Sequence, residues 1–177
     1  MNLTQKSSEV YIAKGPVSVI GREDIAVIEN AIAAAPRGRV RINVHPGSED
    51  LLHEIFIAMK GSSYIHPHKH RTKSEAFHLV HGKVDIVVLD DVGEILQVIP
   101  LAANGDGGAF YYRMSAPLYH TLLIKSDILV IHEITNGPFR QGESVMADFA
   151  PPESEAAAAA NYMAELKSRA ANFRNPA

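Results

Sequence analysis

From Ser62 to about Thr135 the sequence breaks into seven short runs rich in aliphatic, aromatic and β-branched residues: "SSYIHPHKH", "EAFHLVH", "VDIVVLD", "EILQVIPL", "AFYYRM", "LYHTLLIK" and "DILVIHEIT". Turn-forming residues separate them, at Gly82-Lys83, Asp91-Val92-Gly93, Asn104 to Gly108 and Ser126-Asp127. Runs this short, recurring about every ten residues with no helical period between them, predict an antiparallel sandwich or jelly roll. They form the main domain, residues 61–150, and a length of 177 leaves no room for a second of full size.

The flanks have a different texture. "REDIAVIENAIAAAP" spaces Ile25, Ile28 and Ile32 at helical intervals and stops at Pro36, while "SEDLLHEIFIAMKG" offers Ser48 as an N-cap, acids in the first turn, and Leu51, Leu52, Ile55, Phe56 and Met59 on one face. Two short N-terminal helices are predicted. Between them "RVRINVH" alternates Arg39, Arg41, Asn43 and His45 with Val40, Ile42 and Val44, the period of a strand with one polar face. Residues 1–60 are thus a strand and helix segment packed on the barrel. After Pro151-Pro152, residues 151–177 form a helical tail with Tyr162 and Leu166 on one stripe and Glu165 paired to Arg169. Its narrow apolar face docks on the domain or on a second chain, and a homodimer is the expected assembly.

Composition then limits the chemistry. A formal charge of −3 gives no basic field for nucleic acid or anionic lipid, the start "MNLTQKSSEV" lacks the apolar stretch of a signal peptide, and no run approaches the roughly 18 apolar residues of a membrane span. The expectation is a cytoplasmic protein whose partners are small molecules or protein chains. With no cysteine, thiolate zinc sites, iron-sulfur clusters and cysteine nucleophiles are excluded, so any metal must be held by nitrogen and oxygen.

Three of the nine histidines stand within "HPHKHRTKSE". On a strand, His66, His68 and His70 share a face, and a turn through "RTKS" lets the next strand present Glu75, Phe77 and Leu79 inward beside them. His120 opens an apolar run with Leu122 and Ile124 at its own parity and so faces the same core. Neutral imidazoles and a carboxylate are a ligand set for a divalent transition metal: zinc, iron, manganese, nickel or cobalt.

This pattern resembles the cupins, whose first motif is Gly, then His-x-His-x3 or x4-Glu, then six residues and Gly, with one more His in a second motif. "HKHRTKSEAFHLVHG" supplies His68, His70, Glu75 and Gly82, with Gly61 upstream and His120 in the second position, where "SAPLYH" replaces the frequent Pro-x-Gly-x-x-His. Within the cupins the chain is most similar to the WbuC family, through "RVRINVH", "YIHPHKHRTKSEAFH", "YYRMSAPLYHTL", "HEITNGPF" and "APPE". That family is often encoded among genes for bacterial O-antigen and other surface polysaccharides. The resemblance implies a cupin double-stranded β-helix and one divalent metal on His68, His70, Glu75 and His120, with His66 outside the ligand set.

The remaining histidines His53, His78, His81 and His132 are expected to be packed, partly exposed or peripheral, and Lys73 to be solvated. Two guanidiniums at i and i+2 can grip a carboxylate or phosphate, so Arg39 and Arg41, with His45 and Tyr112, are the candidate substrate-binding residues. The reading is a metal-dependent isomerase, lyase or oxygenase acting on a small oxygenated, anionic or sugar-derived molecule, linked to surface polysaccharide biosynthesis. The alternative is a non-catalytic binding or sensing module that uses the same pocket.

Overall fold

The computed structural model describes residues 3–103 and 108–175, so the turn expected from Asn104 lies largely outside the described residues. Its N-terminal part runs β1 (Leu3–Ser7), β2 (Val10–Ala13), α1 (Arg22–Ala31), a 3-10 turn (Ile32–Ala34), β3 (Arg39–Asn43) and β4 (Leu52–Lys60). The seven central runs become β5 (His68–His70), β6 (Glu75–His81), β7 (Lys83–Leu89), β8 (Ile95–Ala102), β9 (Tyr111–Met114), β10 (Tyr119–Ile124) and β11 (Ile128–Asn136). A short β12 (Ser144–Met146) and α2 (Ala156–Asn172) complete the chain.

The strands form a seven-stranded sheet, β1-β2-β3-β4-β11-β6-β9, and a five-stranded sheet, β12-β5-β10-β7-β8. Alternation along each strand sends one set of side chains between the sheets. Met59, Phe77, Leu79, Leu129 and Ile131 from the first sheet pack there on Val84, Ile86 and Leu122 from the second. Full burial of each such side chain contributes about 1.5–3 kcal/mol, which fixes the spacing of the sheets and so the width of whatever lies between them.

The second predicted N-terminal helix does not form. "LHEIFIAMK" is β4, paired along all nine residues with β11 and along its second half with β3. Its apolar residues suit both periods, but only an extended strand can satisfy the backbone donors and acceptors of two flanking strands at once, so tertiary pairing overrides the local helical signal. Ser48 does not cap a helix; its carbonyl accepts from the Phe139 N–H at 2.7 Å. The boundary drawn at residue 60 therefore falls inside one continuous sheet.

Helix α1 is present, with the Gly21 N–H bonded to Asp24 Oδ2 at 2.9 Å. It buries Ile28, followed by Ile32 in the 3-10 turn, against Val40, Ile42, Ala58 and Val130 on the outer face of the seven-stranded sheet. Helix α2 covers the outer face of the other sheet, where Leu166 and Ala170 pack with Val87, Leu89, Tyr119 and Leu123. Arg169 leaves the expected Glu165 pair and reaches Glu94 at 3.0 Å and the Gly93 carbonyl at 2.9 Å, tying the helix to the β7–β8 turn. At the β6–β7 turn Gly82 has φ +91°, and a side chain there would collide with Ser126 and the Ile128 carbonyl.

Candidate metal centre and its cavity

The pairing register places the histidines. His120 on β10 lies directly opposite His68 on β5, and His70 follows two residues on, on the same face of the five-stranded sheet. Glu75 opens β6 in the facing sheet, so imidazoles and carboxylate meet between the layers. One ring nitrogen from each of His68, His70 and His120 lies within 4.8 Å of the others.

Each imidazole is also held from behind. His68 Nδ1 lies 2.9 Å from the His66 carbonyl, His120 Nδ1 3.3 Å from the Leu118 carbonyl, and His70 Nδ1 3.2 Å from Ser144 Oγ. An Nδ1–H donated to a carbonyl leaves Nε2 with its lone pair, and these outer contacts turn that lone pair toward the shared centre.

The carboxylate supplies the test of whether an ion fits. Glu75 Oε2 stands 2.8 Å from His120 Nε2 and 3.5 Å from His70 Nε2, yet among the described residues neither Glu75 Oε2 nor His120 Nε2 has an aligned hydrogen bond. The pair is at ion-pair distance without the alignment of a hydrogen bond, a geometry that an ion taking both lone pairs would satisfy more fully. Donors about 3 Å apart match adjacent ligands around one ion with bonds of about 2.1 Å. The donor set fits a divalent transition metal.

Electrostatics favour the ligating forms of His68 and Glu75 and set a proton in competition for His120. Burial, then the neighbouring His120, pull the His68 pKa down to about 4, so its ring is neutral near pH 7. Burial opposes ionisation of Glu75, but His120, His70 and His68 outweigh it and hold the carboxyl well below the usual range. His120 is pulled down by burial and raised more strongly by Glu75, the net direction being up.

His68, His70 and Glu75 line a cavity of about 360 Å3 that extends to Arg39, Arg41 and Glu133. Val40 and Ile42 pack on the opposite side of β3 from the two arginines. Arg39 is committed: its guanidinium holds Glu153 at 2.8 and 3.0 Å, with the Tyr64 carbonyl at 3.4 Å. Arg41, by contrast, makes no side-chain hydrogen bond or ion pair among the described residues, which reduces the expected two-arginine clamp to one available guanidinium.

His45 and Tyr112 do not line the cavity. The His45 ring is buried, 3.1 Å from the Glu54 carbonyl and stacked on His53 at 4.1 Å, because β3 ends at Asn43 and the chain turns at Pro46. Tyr112 packs edge-on against Phe77, and burial with the charge of Glu75 pushes its pKa far up. Its hydroxyl is buried and, among the described residues, makes no well-aligned hydrogen bond.

His66 stands apart, with Nε2 3.0 Å from the Ala147 carbonyl. His81 pairs with Glu29, His132 stacks on Phe56, and His78 is exposed. His53 is buried and reaches the cavity, since β4 is a strand and not the helix that would have left it at an edge. Lys73 also lines the cavity. The residue the sequence reading missed is Glu133. Its signal was there in "ILVIHEIT", where the inward parity of Ile131 and Thr135 carries a carboxyl on an otherwise apolar face.

Comparison with known proteins bears on the fold. Protein SO0799 of Shewanella oneidensis superposes with a TM-score of 0.55 at 12% identity, over 80% of this chain and 90% of that one. The capsular polysaccharide assembling protein CapF of Staphylococcus aureus gives 0.51 at 19% identity, over 63% of this chain but only 32% of its own. A cupin superfamily protein of Desulfitobacterium hafniense gives 0.43 at 11% identity, over 55% of this chain and 76% of that one. The likeness to the Shewanella protein and to CapF bears on the fold alone, a barrel of two facing sheets. A family model described as a domain of unknown function (DUF6016) matches residues 20–101 of this chain, and no curated protein matches the chain.

Proposed function

We propose that the chain is a metal-dependent cupin enzyme of the WbuC type, holding one divalent transition metal on His68, His70, Glu75 and His120 and acting on a small oxygenated molecule that carries an anionic group. The observation that carries this reading is the convergence of His68, His70 and His120 on Glu75, whose Oε2 lies 2.8 Å from His120 Nε2 without an aligned hydrogen bond, at one end of a cavity large enough for a small ligand. Once bound, such a metal supplies Lewis-acid polarisation of a ligand oxygen. The chain's own residues do the rest: Arg41 attracts the anionic end, and Ile55, Ile57 and Phe77 keep the wall dry, which strengthens every charge interaction inside.

Surface polysaccharide precursors fit the ligand chemistry, being oxygen-rich and commonly anionic, and CapF is described as a capsular polysaccharide assembling protein. The protein works in the cytoplasm as a homodimer on this reading; no helix among the described residues is long and apolar enough to cross a membrane. The test is metal analysis of protein purified without a histidine tag, followed by an activity screen against anionic sugars and oxo acids with each candidate metal. About one metal per chain with turnover is expected. Metal-dependent binding without turnover on any substrate would leave a sensing module instead.

A further inference from the structure

The register of the seven-stranded sheet orders its inward-facing side chains into rows. One row at the metal end runs His53, Thr135, Glu75, Met114. The next runs Asn43, Ile55, Glu133, Phe77, Tyr112, and the one beyond it Arg41, Ile57, Ile131, Leu79. Glu133 therefore stands between the row of a metal ligand and the row of the available arginine, flanked by an isoleucine and a phenylalanine. Glu133, Glu75 and Arg41 all line the same cavity. Among the described residues Glu133 has no hydrogen bond and no ion pair.

A carboxyl set between an isoleucine and a phenylalanine, with no hydrogen bond or ion pair among the described residues, is a poor structural element, since no bond offsets its desolvation. It is a good chemical one. A ligand that places an oxygen at the metal and an anionic group at Arg41 must cross the row that carries Glu133.

We propose that Glu133 is the proton-transfer residue of this cavity, acting on the carbon next to a carbonyl in a small anionic ligand. The inference rests on the metal-dependent reading above. As a carboxylate, Glu133 takes the proton from that carbon; the C–H electron pair becomes the C=C bond of an enolate, and the carbonyl π pair moves onto its oxygen. Returning the proton restores the ligand and the carboxylate. No oxidant, reductant or leaving group is involved. In the metal-free protein burial, followed by the nearby charge of Glu75, raises the Glu133 pKa to about 8, while Arg41, His120 and Lys73 act in the opposite direction. Burial is the part that a metal on Glu75 leaves in place, and a carboxyl raised by burial is a stronger base for the proton it takes than an exposed one.

The experiment measures solvent deuterium entering pyruvate, 2-oxoglutarate and dihydroxyacetone phosphate in the presence of metal-loaded protein, followed by proton NMR. Each probe has a carbonyl, an adjacent C–H and an anionic group. Wild type is expected to exchange at least one, Glu133→Gln to be slower by about 100-fold or more, the typical contribution of a positioned acid-base group, and Glu133→Asp to keep part of the rate. Metal content and oxalate binding by calorimetry should be unchanged in Glu133→Gln. In metal-free protein, a carboxylic-acid infrared band present at about pH 6 and lost in Glu133→Gln assigns the protonated group, since an ordinary Glu is ionised there. Equal exchange by wild type and Glu133→Gln, or no exchange of any probe by wild type, overturns the proposal. Wild type that binds neither metal nor oxalate overturns the metal-dependent reading itself, so the two failures are distinguishable.

Discussion

The two ends of the cavity solve opposite problems. At the metal end nearly every polar atom is held from behind: three imidazoles are braced through Nδ1 by His66, Leu118 and Ser144, and only the inward atoms are left over. At the other end Arg41 and Glu133 have no side-chain hydrogen bond or ion pair among the described residues, although Arg39 one step along the same strand is locked to Glu153. Bracing suits an ion that stays, because the ligands must already be aimed when it arrives. Unpartnered groups suit a ligand that comes and goes, because nothing in the protein must be broken to bind it.

The largest expected effect separates the ends directly. His68→Ala, His70→Ala, Glu75→Ala or His120→Ala should lower metal content from about one per chain to near zero, while Arg41→Met and Glu133→Gln leave it intact. Elemental analysis checks this, and metal loss in Arg41→Met would erase the distinction. His66→Ala should keep the metal and lose only its bond to the Ala147 carbonyl, a cost of about 1 kcal/mol.

Acid should act on the metal end next. His120 is raised by Glu75, so a proton competes for its ring at higher pH than for an ordinary histidine. Metal affinity should fall as pH is lowered from about 8, by about tenfold per unit for each proton displaced. Titration with a fluorescent chelator reads it, and a flat profile down to about pH 5 is incompatible with histidine ligation.

The opposite end should respond with the opposite sign. Glu133 has its pKa raised from 4.5 to about 8, so the folded state binds that proton more tightly than the unfolded state does. Its contribution is fully present below the unfolded value and is lost as pH rises through the folded one, so metal-free wild type should lose stability between about pH 4.5 and pH 8. Glu133→Gln should flatten that part of the curve in thermal melts. A mutant curve parallel to wild type would return Glu133 to ordinary solvation.

The smallest effect tests the two arginines against each other. Arg41→Met should weaken oxalate or phosphate binding several-fold more than Arg39→Met, with thermal stability nearly unchanged in both, because partly exposed charges contribute about 0–1 kcal/mol to folding. Equal losses of binding would mean that Glu153 releases Arg39 when the ligand arrives.

The barrel and its metal end were legible in the sequence, because both are written in short-range pattern. Seven apolar runs cut by turns became β5 to β11 almost run for run, and His68, His70, Glu75 and His120 each occupy the parity that faces inward. What was not legible depends on which strands become neighbours. The segment Leu52–Lys60 carries a helical stripe as well as a strand's apolar content, and only pairing with β11 and β3 decides between them. Whether Arg39 or Arg41 is available is decided by Glu153, more than a hundred residues away in sequence.

The same holds for Glu133. Sequence alone determined that a carboxyl sits at an inward position of β11, since a strand's period of two follows from its own backbone geometry. That Ile55 and Phe77 flank it, that Glu75 lies one row away and that no ion pair holds it among the described residues were decided only when three strands came into register, because desolvation and charge are set by neighbours in space and not by neighbours in the chain.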